Sequence, residues 1–475
     1  MRICMILEGC YPYVRGGLSS WMHSYILAMP QHEFVLWIIG AESSQKGKYK
    51  YVLPANVVQI HEVFLDDALN LPVRKKEKLD FNEREIKAHR DIISCKSPDW
   101  DILFEIYNVR KINMHTYLMS ENFLDCILDM CRSEYPYISF AELFHTVRSM
   151  LLPMFYLMSQ EIPEADIYHS TATGYGALLG AMAGSLKHKP FMITEHGIYS
   201  REREEELLRA SWVPQYFKKM WIAMFYMLAR AGYDRAVSVT ALYKRANDIQ
   251  TDLGCDKSKL KVISNGIKIE QFENIPLKKP NQWVDIGAIV RIHPIKDIKT
   301  MIYSFFELKA RVPNARLHIL GDTDDQEYYN ECVSLIEQLN LKDIALVGNV
   351  DVVKYIEQLD FTILTSISEA QPLSVLESLA AGRPCVTTDV GCCREILEGE
   401  GFDRLGNAGV CVLPMHPQAI ASAMEFLCTR DNARAQMGQI GKKRMKNHFT
   451  HKRMVDDYLD NYKEVFRKWP VSGLN

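Results

Sequence analysis

At 475 residues, with 48% hydrophobic and 24% charged side chains, the chain has a globular composition and is too long for one ordinary core, so two or more domains are expected. A formal net charge of −3 gives no general attraction to nucleic acid or anionic lipid, and no nucleic-acid partner is predicted. The 12 cysteines are scattered, without a C-x-x-C pair, which speaks against a disulfide framework and predicts reduced thiols in a cytoplasmic protein.

The chain opens on a predicted strand, Ile3 to Leu7, an apolar run too short for a signal peptide and broken by Glu8. A helix over Leu18 to Met29 and a strand over Phe34 to Ile39 follow. The first strand-to-helix turn reads Glu8-Gly-Cys-Tyr-Pro-Tyr-Val-Arg-Gly16-Gly17-Leu-Ser-Ser-Trp21. Paired glycines before a helix let backbone N–H groups approach a phosphate or sugar, although taken alone they more often serve a turn. The pattern is neither G-x-G-x-x-G nor a P-loop, which disfavours a nicotinamide enzyme and a P-loop nucleotidase.

Residues near 70 to 160 fit no strand-helix alternation and predict a helical insertion. Met150 to Met158 and Met220 to Leu228 are apolar enough for buried helices, with membrane-surface helices as the alternative; Lys218, Lys219 and Arg230 flank the second. Strands are expected at Ile167 to His169, Phe191 to Thr194, Ala236 to Val239 and Lys261 to Ile263. His196, just after the second of these, is a candidate to bond a sugar hydroxyl, although a lone histidine is more often structural. Asn265-Gly266 reads as a turn. The polar, proline-bounded stretch 276–282 is expected to link a domain over 1–275 to one over 283–453, with 454–475 a terminal helix packing back on the first domain.

After 282 the alternation is clear. Strands are predicted at Val284 to Val290, Ala315 to Leu320, Ala345 to Val347, Phe361 to Leu364 and Cys385 to Thr387, and helices at Ile298 to Ala310, Glu327 to Leu339, Val353 to Gln358 and Gln418 to Thr429. Repeated β-α-β units make a parallel sheet covered on both faces, so the expected fold class is α/β with two doubly wound, Rossmann-like domains.

Two clusters at strand ends carry chemistry. Arg291-Ile-His-Pro-Ile-Lys296 places a planar fork and a point charge where ligands gather in open parallel sheets, suited to a diphosphate and to the charge developing on it as it leaves. The second is Ser366-Ile-Ser-Glu369-Ala-Gln-Pro-Leu-Ser-Val-Leu-Glu377, two carboxylates across a loop-to-helix junction. Pro372 is expected in the first helical turn and Gly382 at the stop. Glu369 then lies in the loop and Glu377 on the helix, and free N–H groups near Ser374 and Val375 favour an anion. Paired glutamates on a solvated helix are the bland alternative, but Leu373, Val375, Leu376, Leu379 and Ala380 surround Glu377 with apolar groups. That layout suits a nucleotide-sugar.

Arg291 with Lys296, Glu369 with Glu377, the Gly16-Gly17 turn and Asn265-Gly266-Ile267 together resemble glycosyltransferase family 4, of the GT-B fold, over nearly the whole chain. Within that family the first turn, Thr194-Glu-His-Gly-Ile-Tyr199 and Asp389-Val-Gly-Cys-Cys-Arg-Glu395 resemble the PelF subfamily, associated with the Pel exopolysaccharide. The resemblance implies two domains facing across a cleft and retaining transfer of a hexose from a UDP-sugar, notably UDP-glucose, with no metal or other cofactor. It implies a saccharide or lipid-linked acceptor and a membrane-embedded polysaccharide synthase complex as partner, at the inner face of the membrane. Arg291 and Lys296 would neutralise the diphosphate and Glu377 hold the ribose. Glu369 and His196 would meet the donor sugar, Gly348, Asn349 and Val350 the base, and Gly16, Gly17, Leu373, Ser374 and Val375 the rest of the donor or the acceptor. Lys268 departs from the acidic residue common there in the family. A GT-B epimerase and a catalytically silent scaffold are the alternatives.

Overall fold

The computed structural model describes residues 1–71 and 79–469. It forms two compact units, one of Met1–Val262 with the chain from Leu459 onward, the other of Ile263–Tyr458.

The first unit holds β1 (Arg2–Glu8), β2 (Glu33–Gly40), β3 (Val57–Phe64), β4 (Ile167–Ser170), β5 (Phe191–Glu195), β6 (Ser238–Ala241) and β7 (Leu260–Val262). All pair in parallel in the order β3-β2-β1-β4-β5-β6-β7. β1 is central, and Ile3 to Leu7 are fully buried, as a strand covered on both faces requires. The order reverses beside β1, so the crevice beyond its carboxyl end, where Glu8 and the glycine turn lie, is the ligand position of an open parallel sheet. Helices from Asp67–Asn70 to Phe140–Met158 fill the interval between β3 and β4. Both apolar segments considered for a membrane surface are core: Met154, Phe155, Leu157 and Met158 are fully buried in one, Met224 and Leu228 in the other. No helix among the described residues is long and apolar enough to cross a membrane.

The second unit holds β8 (Val284–Ile289), β9 (Ala315–Leu320), β10 (Ile344–Gly348), β11 (Phe361–Leu364), β12 (Cys385–Thr388) and β13 (Gly409–Val412), parallel in the order β10-β9-β8-β11-β12-β13. Here the reversal falls between β8 and β11, the strands that Arg291–Lys296 and Glu369 follow. β3 and β13 were not expected from sequence. The strand expected at 236–239 lies at Ser238–Ala241, because Ala236 still caps the preceding helix, Gln215–Arg235.

The boundary also moves. The units divide at Val262/Ile263, so 263–282, including the expected linker 276–282, belongs to the second unit. The cause is visible in its bonds: the fully buried Arg383 guanidinium donates to the carbonyls of Ile275 and Pro276, and Lys278, 8% exposed, pairs with Asp285 and Asp360 at 2.6 Å each. A chain fixed by buried cations at its start and at Lys278 is no free linker. The terminal helix His451–Lys468 returns the chain to the first unit, where the Tyr462 hydroxyl meets Tyr25 and His169 and Glu464 pairs with Lys261 at 2.6 Å.

Candidate active site

Lys296 and Glu369 stand on the segments leaving β8 and β11. Those segments are tied together: Ile367 N–H donates to the Ile295 carbonyl at 2.9 Å, and the Thr365 hydroxyl to the Lys296 and Asp297 carbonyls at 2.9 and 3.1 Å. From this base Lys296 Nζ closes on Glu369 Oε1, and the fully buried Ser366 hydroxyl donates to the same oxygen at 2.7 Å. Side chains 18% and 13% exposed feel one another more strongly than a pair in open water. The two residues expected to hold different parts of a ligand are thus one ion pair.

The loop bearing Glu369 is braced from behind. The Thr388 hydroxyl donates to the Ser366 carbonyl at 2.6 Å and Cys392 N–H to the Ala370 carbonyl at 3.0 Å. Gly391, at φ +54, lets the Asp389–Cys393 turn press on that loop. Asn265 N–H donates to Gln371 Oε1 at 2.6 Å, and a Cβ on Gly266 would fall 2.2 Å from the Thr450 carbonyl oxygen. The Asn-Gly pair is therefore a close backbone approach beside the glutamate loop rather than a mere turn.

Arg291, 59% exposed, pairs with Asp324. Asn349 Nδ2 donates to Asp322 at 2.9 Å, and Gly321 N–H to the carbonyl of Gly348, itself at φ +78. Arg291, Gly348 and Asn349, with Val350 beyond them, thus gather around the acidic loop after β9, which sequence reading passed over because such loops are usually just solvated. Each expected phosphate cation carries a carboxylate partner in this state.

The glutamate helix spans Leu373–Ala380, with Pro372 as its cap rather than in its first turn. One turn tightens there: Val375 N–H donates to the Pro372 carbonyl at 3.2 Å. The outward donors are accordingly Leu373 and Ser374, one residue earlier than expected. Glu377 is half-buried, with no hydrogen-bond partner among the described residues, and burial pushes its carboxyl up to about 7. A raised carboxyl pKa favours the protonated folded state. Its contribution is complete below the unfolded value of 4.5 and is lost as pH rises through 7. Glu377→Gln, a fixed neutral form, is expected to unfold with wild-type free energy at pH 4 and to exceed wild type by roughly 3 kcal/mol at pH 8, measured by chemical denaturation. Equal stability at both pH values would remove the titration from Glu377.

In the first unit, Gly16 caps the helix Gly17–Leu27 in extended conformation, and the space a Cβ would take is open at both Gly16 and Gly17. His196 lies edge-on to Trp21, ring centroids 4.3 Å apart, its Nε2 enclosed without a partner and its pKa driven down to about 4 by burial. It is a neutral imidazole, fit for a hydroxyl. Beneath it Glu195 is fully enclosed and accepts from Thr173 (2.7 Å), Tyr233 (2.6 Å) and Gln250 (2.8 Å), while Glu8 accepts from Tyr199 and from Gly176 N–H at 3.2 Å. Burial raises both carboxyls. Neither was singled out from sequence, since each merely ends an apolar strand. No group of three or more His, Cys, Asp or Glu among the described residues is placed to hold a metal ion.

Known proteins agree with this architecture. Residues 1–258, over half of the chain, match the domain of unknown function DUF3492, and residues 269–444 match glycosyl transferases group 1. An uncharacterized glycosyltransferase, MJ1059 of Methanocaldococcus jannaschii, is 31% identical over 28% of this chain and 34% of its own length, so the match spans about a third of that relative. The capsular polysaccharide biosynthesis glycosyltransferase CapM of Staphylococcus aureus is 25% identical over 69% of this chain and 83% of CapM. Among solved structures, HepE of Anabaena in complex with UDP superposes with a TM-score of 0.61 at 13% identity, over 98% of this chain and 100% of HepE. HepE with UDP-glucose gives 0.60 at 13% identity, over 97% of this chain and 99% of HepE. At that identity the likeness carries the fold, GT-B, and no more. The chain belongs to the DUF3492 family and joins that domain to a glycosyl transferases group 1 domain, which makes it a glycosyltransferase of two Rossmann-like units.

Proposed function

We propose that the chain transfers a hexose from a UDP-sugar, UDP-glucose first among them, to a saccharide or lipid-linked acceptor, with retention and without a metal. The observation that carries this reading is Glu377: a half-buried carboxyl with no hydrogen-bond partner among the described residues, on a helix whose Leu373 and Ser374 N–H groups point outward and which follows the loop of the Lys296–Glu369 pair. Vicinal ribose hydroxyls supply the missing donors, and diphosphate oxygens suit the helix start. In that frame Lys296 and Arg291 leave their carboxylate partners for the diphosphate, and Glu369 turns to sugar hydroxyls.

In the reaction the anomeric carbon loses its bond to the β-phosphate oxygen and gains one to the acceptor oxygen on the same face. The acceptor's proton passes to the departing phosphate, so no protein nucleophile is required. Lys296 and Arg291 stabilise the charge left on the diphosphate, the task a metal ion performs elsewhere. Neutral His196 is assigned to a sugar hydroxyl.

Two further steps belong to the same reading: membership of glycosyltransferase family 4 near the PelF subfamily, and a place in exopolysaccharide synthesis, in the cytoplasm beside a membrane-embedded synthase. Similarity to CapM, named for capsular polysaccharide biosynthesis, supports the second.

A thermal-shift panel of UDP, GDP and ADP with their glucose and mannose conjugates tests the donor. Uridine nucleotides are expected to raise the melting temperature selectively, because a ligand that binds only the folded state stabilises it by mass action. A shift with GDP or ADP alone would overturn the assignment.

A further inference from the structure

The terminal helix His451–Lys468 meets the first unit through a hydroxyl where an apolar cover would have sufficed. Tyr462 is fully buried, and so are the two side chains its hydroxyl joins: Tyr25 O–H donates to it at 2.7 Å, and His169 Nδ1 lies 2.6 Å away. A hydroxyl in a dry interior costs free energy unless such bonds are made, so covering the sheet does not by itself account for this one.

Both bonds lead towards His196. Tyr25 stacks on Trp21 with ring centroids 4.7 Å apart, and Trp21 in turn lies edge-on to His196 at 4.3 Å. On the other side His169 Nε2 is 2.9 Å from the hydroxyl of Thr194, which stands on β5 two residues before His196. Burial, with His196 nearby, drives the His169 pKa down to about 3. The ring is therefore neutral, and its single proton serves one of the two bonds while the bare nitrogen accepts in the other. His196 itself is partly exposed, and its Nε2 is enclosed without a partner. No hydrogen bond at that nitrogen anchors the ring, so its orientation depends on the packing against Trp21 and on the strand end that carries it.

We infer that Tyr462 is a positioning residue: its hydroxyl, through Tyr25 and Trp21 on one side and His169 and Thr194 on the other, sets the orientation in which His196 meets the transferred sugar. The inference rests on the assignment of His196 to a sugar hydroxyl made above.

Calorimetric titration with UDP and with UDP-glucose tests it on the wild type, Tyr462→Phe, His196→Ala and the double variant, each well below its melting transition. Tyr462→Phe keeps the ring and removes the hydroxyl. Its affinity for UDP is expected to stay within about twofold of wild type while that for UDP-glucose falls about fivefold, the effect of one misplaced hydrogen bond. His196→Ala is expected to lose about tenfold for UDP-glucose alone, and the double variant to bind no more weakly than His196→Ala, because a residue that acts through His196 has nothing left to position. Tyr25→Phe breaks the same contact without touching the terminal helix and is expected to repeat the pattern of Tyr462→Phe. Losses that add in the double variant, equal losses for UDP and UDP-glucose, or a lower melting temperature with wild-type affinities in both phenylalanine variants would overturn the positioning role. A His196→Ala protein that binds UDP-glucose like wild type would overturn the assignment of His196, and this inference with it.

Discussion

Lys296→Ala is expected to lower kcat/KM by about a thousandfold, the scale set by removing one preorganised group that stabilises transition-state charge. The ammonium is 18% exposed and paired with Glu369, so its positive charge is held at the crevice of the β8–β11 switch point rather than spread in solvent. In the proposed reaction, departure of a nucleoside diphosphate puts negative charge there. The loss is expected mainly in kcat, because the charge grows as the bond breaks; UDP affinity should fall by a smaller factor. The fold should persist. Glu369 keeps the Ser366 hydroxyl at 2.7 Å, and losing one partner of a partly exposed pair costs about 1 kcal/mol. Steady-state rates, UDP calorimetry and a melting curve on one preparation check all three. Turnover within a few-fold of wild type would remove Lys296 from the reaction.

Much of both sheets was legible because parallel strands are buried on both faces and read as continuous apolar runs. Ile3 to Leu7, Phe34 to Ile39 and Phe361 to Leu364 are of that kind, and the structure places a strand on each. β3, Val-Val-Gln-Ile-His-Glu-Val-Phe, escaped because it is an edge strand that carries Gln59, His61 and Glu62, none of them buried, among its apolar residues.

The site divides along the same line. That Arg291, Lys296, Glu369 and Glu377 matter followed from local context: strand end, loop, helix start. Which of them touch did not. The Lys296–Glu369 pair joins positions 73 apart in sequence and exists because β8 and β11 are neighbours in the sheet. Groups that act through backbone atoms were equally hidden. Arg383 and Arg444 are fully buried cations that donate largely to main-chain carbonyls, and no side-chain motif announces such a role. Asn265 and Gln371 are brought together and buried only once the chain has folded.

Gly391→Ala is expected to disable the site from behind. An alanine at φ +54 costs about 1–2 kcal/mol by itself. The new Cβ would also fall 2.2 Å from the Ala370 carbonyl oxygen and 2.3 Å from that of Glu369, and neither is a side chain able to swing aside. Relief requires the Asp389–Cys393 turn to lift off the glutamate loop, stretching the 3.0 Å bond from Cys392 N–H to the Ala370 carbonyl. Strain and the weakened bond together should destabilise the second unit by about 3 kcal/mol. The functional loss should be larger than that figure suggests, because a displaced Glu369 no longer meets Lys296 and a sugar together; a shift of about 1 Å in such a group costs about a hundredfold in rate. Gly16→Ala is the control: its Cβ meets nothing within 4 Å, and stability should stay within about 0.5 kcal/mol of wild type. Denaturation midpoints and donor-dependent turnover for both variants decide the matter. A Gly391→Ala protein with wild-type stability and full activity would show that the turn does not support Glu369 at all.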